Sequence, residues 1–301
     1  MKKRGKEPYV WIIIVNWNGL EDTLECINSI KLNSYKNYQI CVIDNDSKNH
    51  EAEKLIKKNP EIKIIKNDKN LGFTGANNQG IELAMENNAD YIFILNNDTI
   101  IDPSTISELV AYASSKKFKG ILQPKILYYK SDLVWSMGGK FNMLISTPRL
   151  IGQGKNSSDY QDILSPEFAL GCAMFINAEV IEDVGGFDDD YFANYEDIDL
   201  SWRIMNSGYN ILVLPESIIH HKVSQSSSIE NKFKLDPFQS YLYARNGLLF
   251  GFKNFHGVKL IWYVISQLMI KMPGYLIFKC ANLRSRKEYL RGVKEGIKFN
   301  E

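Results

Sequence analysis

Three of the four short apolar runs in the first third of the chain end on a cluster of amides and carboxylates, and this constrains the fold more than any other feature. Residues 10–15 run into Asn16-Trp17-Asn18, residues 39–43 into Asp44-Asn45-Asp46, and residues 91–95 into Asn96-Asn97-Asp98; residues 62–65 form the fourth run. Each has strand length, and stretches of helical period lie between them at 20–32, 51–58 and 75–87. Strands alternating with helices build βαβ units, hence a mostly parallel sheet covered on both faces. Ligands of such sheets bind beyond the carboxyl ends of the strands. One polar strand end is ordinary turn chemistry; three converging on one sheet edge mark a site. Neither G-x-G-x-x-G nor G-x-x-x-x-G-K-[ST] occurs in this half, which argues against a dinucleotide-binding Rossmann domain and a P-loop NTPase.

The second half is less regular and carries the densest acidic stretch, from Asp188-Asp189-Asp190 to Glu196-Asp197-Ile198-Asp199. Asn194 reads as an N-cap, with a helix running to about Gly208 and Asp197 at its third position. A carboxylate there either caps the backbone or stands ionised and outward as a general base; local sequence leaves both open. Asp188, Asp189 and Asp190 read as a solvated turn. Residues 152–162 read as a loop, and Pro215 precedes His220-His221-Lys222-Val223-Ser224. Asp98 and a distant histidine are too little to assign a metal from spacing alone.

Charge separates the chain into two parts. The 301 residues hold 36 Lys+Arg and 35 Asp+Glu, a net charge of +1, which excludes a dedicated nucleic-acid binder. Yet residues 251–301 carry ten Lys/Arg and three Glu, so the preceding residues sum to −6. Four scattered cysteines, none in C-x-x-C, argue against a disulfide framework and a cysteine zinc site. The apolar run at 9–15 is too short for a signal peptide. The expected location is therefore cytoplasmic.

The motifs in their order resemble the inverting family-2 glycosyltransferases, closest to the rhamnosyltransferase-like branch of cell-surface polysaccharide synthesis. The resemblance rests on Asn16-Trp17-Asn18-Gly19, Cys41-Val42-Ile43-Asp44-Asn45-Asp46-Ser47, Asn70-Leu71-Gly72-Phe73-Thr74-Gly75-Ala76-Asn77-Asn78-Gln79-Gly80 and Leu95-Asn96-Asn97-Asp98-Thr99. It continues in Gly185-Gly186-Phe187-Asp188, Tyr195-Glu196-Asp197-Ile198-Asp199-Leu200 and His221-Lys222-Val223-Ser224, covering roughly residues 8–250.

That resemblance implies an α/β GT-A fold and a nucleotide-sugar donor, dTDP-rhamnose or a UDP-sugar, with a glycan or lipid-linked saccharide as acceptor. It implies Asp44 at the donor's base with Asn16 and Asn18 bordering the pocket, and Asn70, Asn77 and Asn96 on the nucleotide and sugar side. Asp98 and His221 would hold Mg²⁺ or Mn²⁺ on the diphosphate. Asp197 would be the catalytic base, assisted by Glu196, with Gly171 and Cys172 facing the acceptor. Two positions depart from the wider family: Asn96 replaces the first aspartate of its DXD-type motif, and Asn77 stands where many members carry Arg. A sugar-phosphate nucleotidyltransferase would show a Gly-rich basic loop after the first strand, and Asn16-Trp17-Asn18-Gly19 is not one. A non-catalytic nucleotide-sugar-binding assembly subunit would not need the acidic residues kept here.

The expected organisation is a basic N-terminus at 1–7, a catalytic domain at 8–250 with halves at about 8–125 and 126–250, and a basic amphipathic helical tail at 251–301. In the tail His256, Lys259, Tyr263, Ser266/Gln267 and Lys271 form one narrow polar stripe, and Pro273-Gly274 is expected to end the helix. Two lysines and that break argue against a spanning segment. The tail is open to three partners: the catalytic domain, a homodimer mate, or the cytoplasmic face of a membrane on which the chain would be peripheral.

Overall fold

The computed structural model describes residues 7–222 and 234–300. Residues 1–6 of the basic N-terminus, and Val223-Ser224 of the histidine motif, lie outside the described residues. The apolar runs fold as β1 (Val10–Asn16), β2 (Tyr38–Asp44), β3 (Lys63–Lys66) and β4 (Tyr91–Asn96). Between them lie α1 (Leu20–Lys31), α2 (Glu51–Lys58) and α3 (Gly72–Glu86). Helix α3 starts three residues before the periodicity indicates. Gly72 takes a positive φ of 76°, and its N–H donates to the Asn70 side chain at 2.8 Å, so the motif's own turn is the helix start.

The chain continues through β5 (Thr99–Ile101), α4 (Thr105–Lys116), β6 (Gly120–Tyr128), β7 (Val134–Ser136), β8 (Gly139–Asn142) and β9 (Thr147–Leu150). After β10 (Ala173–Asn177) come α5 (Ala178–Val184), α6 (Glu196–Asn206), β11 (Asn210–His221) and α7 (Pro237–Asn254). Among the described residues the main sheet has nine strands in the order β3-β2-β1-β4-β10-β6-β11-β5, with β7 paired to β6. The first four are parallel, and β10 enters antiparallel between β4 and β6. Both faces are covered. Ile12, Ile14, Val42 and Phe93 pack into one apolar layer, and Trp11, Ile13, Cys41 and Ile94 into the other, the two-sided burial a parallel sheet requires. Strand order reverses at β1, so the crevice opens beyond Asn16, Asp44 and Asn96.

The tail helix (Gly257–Lys279) does not stop at Pro273-Gly274. Turns with i→i+5 bonding at Gln267–Lys271 and Tyr275–Lys279 flank the proline, and the shifted register accommodates its missing N–H. From Tyr263 to Lys271 its polar stripe faces the protein, whereas His256 and Lys259 at its start are exposed. Tyr263 Oη donates to the Gly247 carbonyl at 2.7 Å, Ser266 Oγ to Leu144 O at 3.2 Å, and Gln267 Nε2 to Ser146 O at 3.0 Å. Lys271 Nζ donates to Tyr195 Oη at 2.5 Å. Helix α7 offers a flat seat: a Cβ on Gly251 would lie 2.3 Å from the Tyr263 ring, and one on Gly247 3.1 Å from Lys271 Nζ. The terminal helix (Leu283–Ile297) packs on α7 in the same manner through Gly292 and Gly296.

Burial pulls the Lys271 ammonium down to about 7 from an ordinary 10.5. The unfolded chain keeps that proton up to about pH 10.5 while the folded chain releases it near 7. Stability contributed by this contact therefore rises with pH above about 7. Lys271→Met is expected to flatten the rise in Tm between pH 7 and 9, measured by differential scanning fluorimetry; an unchanged profile would place the ammonium elsewhere.

Candidate active site

Parallel pairing sets Asn16 opposite Asp44 and Val15 opposite Asn96, so the three polar strand ends share one edge. Asn16 is fully buried, and its amide nitrogen donates to Asp44 at 2.8 Å, Ser47 Oγ at 3.0 Å and Glu51 at 3.0 Å. Its oxygen accepts from Thr23 at 2.7 Å. Asn16 therefore reaches the pocket only through Asp44, whose second carboxylate oxygen accepts from the Ser47 N–H. Asn18 turns the chain with a φ of 54°, and its side chain accepts from Lys48 N at 2.8 Å. Asn77 is buried and donates to Phe73 O within its own helix.

Asn45, which sequence reasoning passed over, is the hub of this edge. Its amide donates to Asn70 Oδ1 and Gly72 O, both at 3.0 Å, and accepts from Asn67 at 3.1 Å and Leu71 N at 2.9 Å. All four of its hydrogen-bonding positions are used. Trp17, the residue after Asn16, is exposed.

The antiparallel pairing of β5 with β11 sets His221 opposite Thr99, immediately after Asp98. The result is direct contact between residues 123 positions apart: His221 Nε2 lies 3.1 Å from Asp98 Oδ1. Trp135 packs edge-on against the imidazole at 4.4 Å, and His221 Nδ1 is buried with no hydrogen-bond partner among the described residues.

Helix α6 begins at Glu196, so Asp197 is its second residue, not its third. Asn194 does not cap it; Tyr195 occupies that position without a side-chain bond. The reason lies in the loop before it, where Phe192, Asn194 and Tyr195 all take positive φ. Such backbone is costly for a bulky residue and persists only where its surroundings hold it. Buried Asn246 of α7 does so, its amide donating to Ala193 O and Asn194 O at 2.8 Å and to Tyr191 O at 3.4 Å. Lys271 holds the Tyr195 hydroxyl from the other side. The neighbouring acids are also engaged: Lys253 pairs with Asp188 and Asp190 at 2.5 and 2.6 Å, so this turn is tied to α7. Arg203, Tyr191 and Asn254 hold Asp199.

This leaves Glu196 and Asp197 facing a cavity of about 340 Å³, lined also by Trp135, Leu170, Tyr195, Tyr243 and Tyr275. Asp197 does not stand outward in solvent. Its carboxylate is partly buried and accepts from Gly171 N at 3.1 Å and Ile198 N at 2.8 Å. Burial raises its pKa, and those two N–H groups hold it down. Glu196 is raised further, by burial and then by the Asp197 charge, and its Oε2 has no partner among the described residues. Asp197 is thus the member of the pair that ionises first. Buried Cys172 follows Gly171, and its carbonyl accepts from Asn96 N at 2.9 Å. One dipeptide therefore connects the polar strand edge to Asp197. A larger open groove of about 770 Å³, lined by Asp190 and Phe192 together with residues of α7 and the C-terminal segment, contains neither Glu196 nor Asp197.

The sequence profile of glycosyl transferase family 2 matches residues 11–184, more than half of the chain. The chain belongs to this family. Related to this glycosyltransferase is the low-salt glycan biosynthesis hexosyltransferase Agl10 of Haloferax volcanii, 26% identical over 79% of this chain and 74% of the relative. The N-acetylglucosaminyl-diphospho-decaprenol L-rhamnosyltransferase of Mycobacterium tuberculosis is 24% identical over 64% and 70%. The fold is that of the 1–349 segment of TarS from S. aureus, solved with UDP-GlcNAc, at a TM-score of 0.62 and 11% identity over 97% of this chain and 82% of that segment. It is shared with GalNAc-T7, solved with UDP, GalNAc and Mn²⁺, at a TM-score of 0.62 and 15% identity over 90% and 57%.

Asn246 anchors the acidic loop of this glycosyltransferase without touching the cavity. Asn246→Ala leaves three carbonyls without their donor and is expected to cost about 1–3 kcal/mol of stability. It should lower kcat while the KM for donor stays near its original value, measured by steady-state kinetics beside a urea melt. A shift confined to donor KM would disconnect Asn246 from the Asp197 loop.

Proposed function

We propose that this glycosyltransferase moves a sugar from a nucleoside-diphosphate donor, dTDP-rhamnose or a UDP-sugar, to a glycan or lipid-linked saccharide, with inversion, in cell-surface polysaccharide synthesis. The observation that carries the reading is Asp197, a carboxylate fixed by two backbone N–H groups in a cavity walled by Leu170, Tyr195, Tyr243 and Tyr275. The names of the Haloferax, Mycobacterium and Shigella relatives, the last a dTDP-rhamnosyl transferase, support the substrate class.

In this mechanism the donor lies in the crevice beyond β1, β2 and β4. Asp44 accepts from the base, since each carboxylate oxygen retains a free lone pair, with Asn18 and Asn70 at the margin. Asn16 and Asn77 act as frame, holding Asp44 and α3. Asn96 and the Gly171-Cys172 link lie between donor and acceptor. Asp197 takes the proton of an acceptor hydroxyl as that oxygen bonds to the anomeric carbon. The bond to the nucleoside diphosphate breaks on the opposite side, and the configuration inverts. Glu196, kept protonated by burial and then by its neighbour's charge, can donate a hydrogen bond to the acceptor.

Asp98 and His221 fit a divalent cation of limited protein coordination. No three acidic, histidine or cysteine side chains converge on a metal-sized site among the described residues, so this pair would supply only two protein ligands. One carboxylate and one imidazole would hold Mg²⁺ or Mn²⁺ only with further oxygen ligands supplied by substrate and water. Bound there, the ion would offset charge on the leaving diphosphate.

Asp197→Asn is expected to fold with unchanged Tm and lose turnover by about 10²–10⁴. In the unmutated enzyme activity falls as Asp197 gains its proton, so the acid limb of kcat should lie above the ordinary aspartate value of 3.8. NMR of the product's anomeric configuration tests inversion; a retained anomer rejects the single displacement. For the donor, thermal shifts with UDP, dTDP and GDP, with and without Mn²⁺, should show nucleotide stabilisation. Asp98→Ala and His221→Ala are each expected to abolish its Mn²⁺-dependent part. Stabilisation by none of the nucleotides would reject the donor class.

A further inference from the structure

The tail helix is amphipathic in the reverse of the usual sense for a surface helix. Its polar residues Tyr263, Ser266, Gln267 and Lys271 are buried and bonded to the body. Its apolar residues face out: Val258 is 82% exposed, Met269 72% and Phe278 73%, with Ile261, Trp262 and Ile265 on the same side. The tip of the β8–β9 hairpin extends this face, because Ser266 bonds the carbonyl of Leu144, itself 71% exposed. An exposed apolar surface of this extent marks an interaction site.

Charge identifies its occupant. Residues 237–287 contain no Asp or Glu, in a chain that has 35 of them, and eight Lys/Arg. At the end of the tail helix, exposed Ile277, Phe278 and Leu283 are interspersed with exposed Lys279, Arg284, Arg286 and Lys287. On the hairpin, exposed Lys140 and Arg149 stand directly opposite each other and neither forms an ion pair among the described residues. Like charges in that register repel unless an anionic surface faces them. A second copy of this chain would set cations against cations across an isologous contact.

We infer that the outer face of the tail helix lies in the plane of an anionic lipid bilayer, with Leu144 and the basic residues 279–287 at the headgroups. The helix is long and apolar enough to cross a membrane, but its polar side is occupied by the protein, so it lies flat. The same helix supplies Tyr275 to the cavity that holds Asp197. Seating the helix therefore brings that cavity to the bilayer surface. This last step rests on the lipid-linked acceptor proposed above; the docking itself does not.

The test is co-sedimentation of the full chain with vesicles of phosphatidylcholine alone and with added phosphatidylglycerol. Pelleting is expected with the anionic vesicles and to fall at high salt. The double variant Ile265→Glu/Met269→Glu should weaken it at least about tenfold, since two apolar side chains no longer enter the bilayer, and Arg284→Gln/Lys287→Gln should weaken it chiefly at low salt. All four residues are exposed, so folding and nucleotide thermal shifts should be unchanged, which separates failure of docking from failure of the proposed donor chemistry. Absence of pelleting overturns the inference, as does pelleting indifferent to the face variants. A concentration-dependent dimer broken by those variants, without vesicle binding, assigns the face to a second copy and equally overturns it.

Discussion

Two buried asparagines at the ends of neighbouring strands hold the arrangement on which everything else rests. Asn16 and Asn45 are flanked by hydrogen-bonding groups that would be costly to bury unpaired. Asn16 joins β1 to the Asp44 carboxylate, to Thr23 of α1 and to Glu51 of α2. Asn45 joins β2 to the start of α3. A one-residue slip of either strand would turn these amides toward the apolar layers and leave several groups unsatisfied. The network therefore fixes register, and register fixes where Asn96 and Asp98 emerge beside the crevice.

The same logic explains how far the sequence could be read. Strand runs at 10–15, 39–43 and 91–95 were legible because a sheet buried on both faces demands continuous apolar residues, and nothing else of that length competes. Asp98 and His221 were legible as residue types, but their contact depends on the antiparallel pairing of β5 with β11, a long-range event that leaves no local pattern. Asn194 looked like a cap because capping propensity is local. The helix start was decided instead by Asn246, which binds three carbonyls of a left-handed turn from a helix about fifty residues away. Tertiary hydrogen bonds overrode propensity there.

Periodicity revealed the tail's polar stripe but not its direction. A stripe on an apolar helix is ordinarily taken to face water, because solvating polar groups is cheaper than pairing them. Here each buried polar group found a partner: carbonyls left open by the β8–β9 turn, the Gly247 carbonyl, and the Tyr195 hydroxyl. Gly247 and Gly251, one turn apart on α7, were the signal that could have shown it, since a helix bearing two such glycines admits a close neighbour. The tail is thereby packed into the catalytic-domain body rather than appended to it. Lys271 and Asn246 hold opposite ends of the segment that leads into Glu196-Asp197.

That segment also explains why two carboxyls stand side by side in a mostly apolar cavity. Two adjacent buried carboxylates cannot both ionise cheaply. Burial pushes both carboxyls up, Glu196 further, while the N–H groups of Gly171 and Ile198 hold Asp197 down and Glu196 Oε2 has no partner among the described residues, so the charge falls on Asp197. The proton left on Glu196 follows from its burial and then from the charge on Asp197. For the displacement proposed above, a carboxylate held by fixed N–H dipoles beside a carboxyl kept neutral first by burial and then by its neighbour needs no rearrangement when an acceptor hydroxyl arrives.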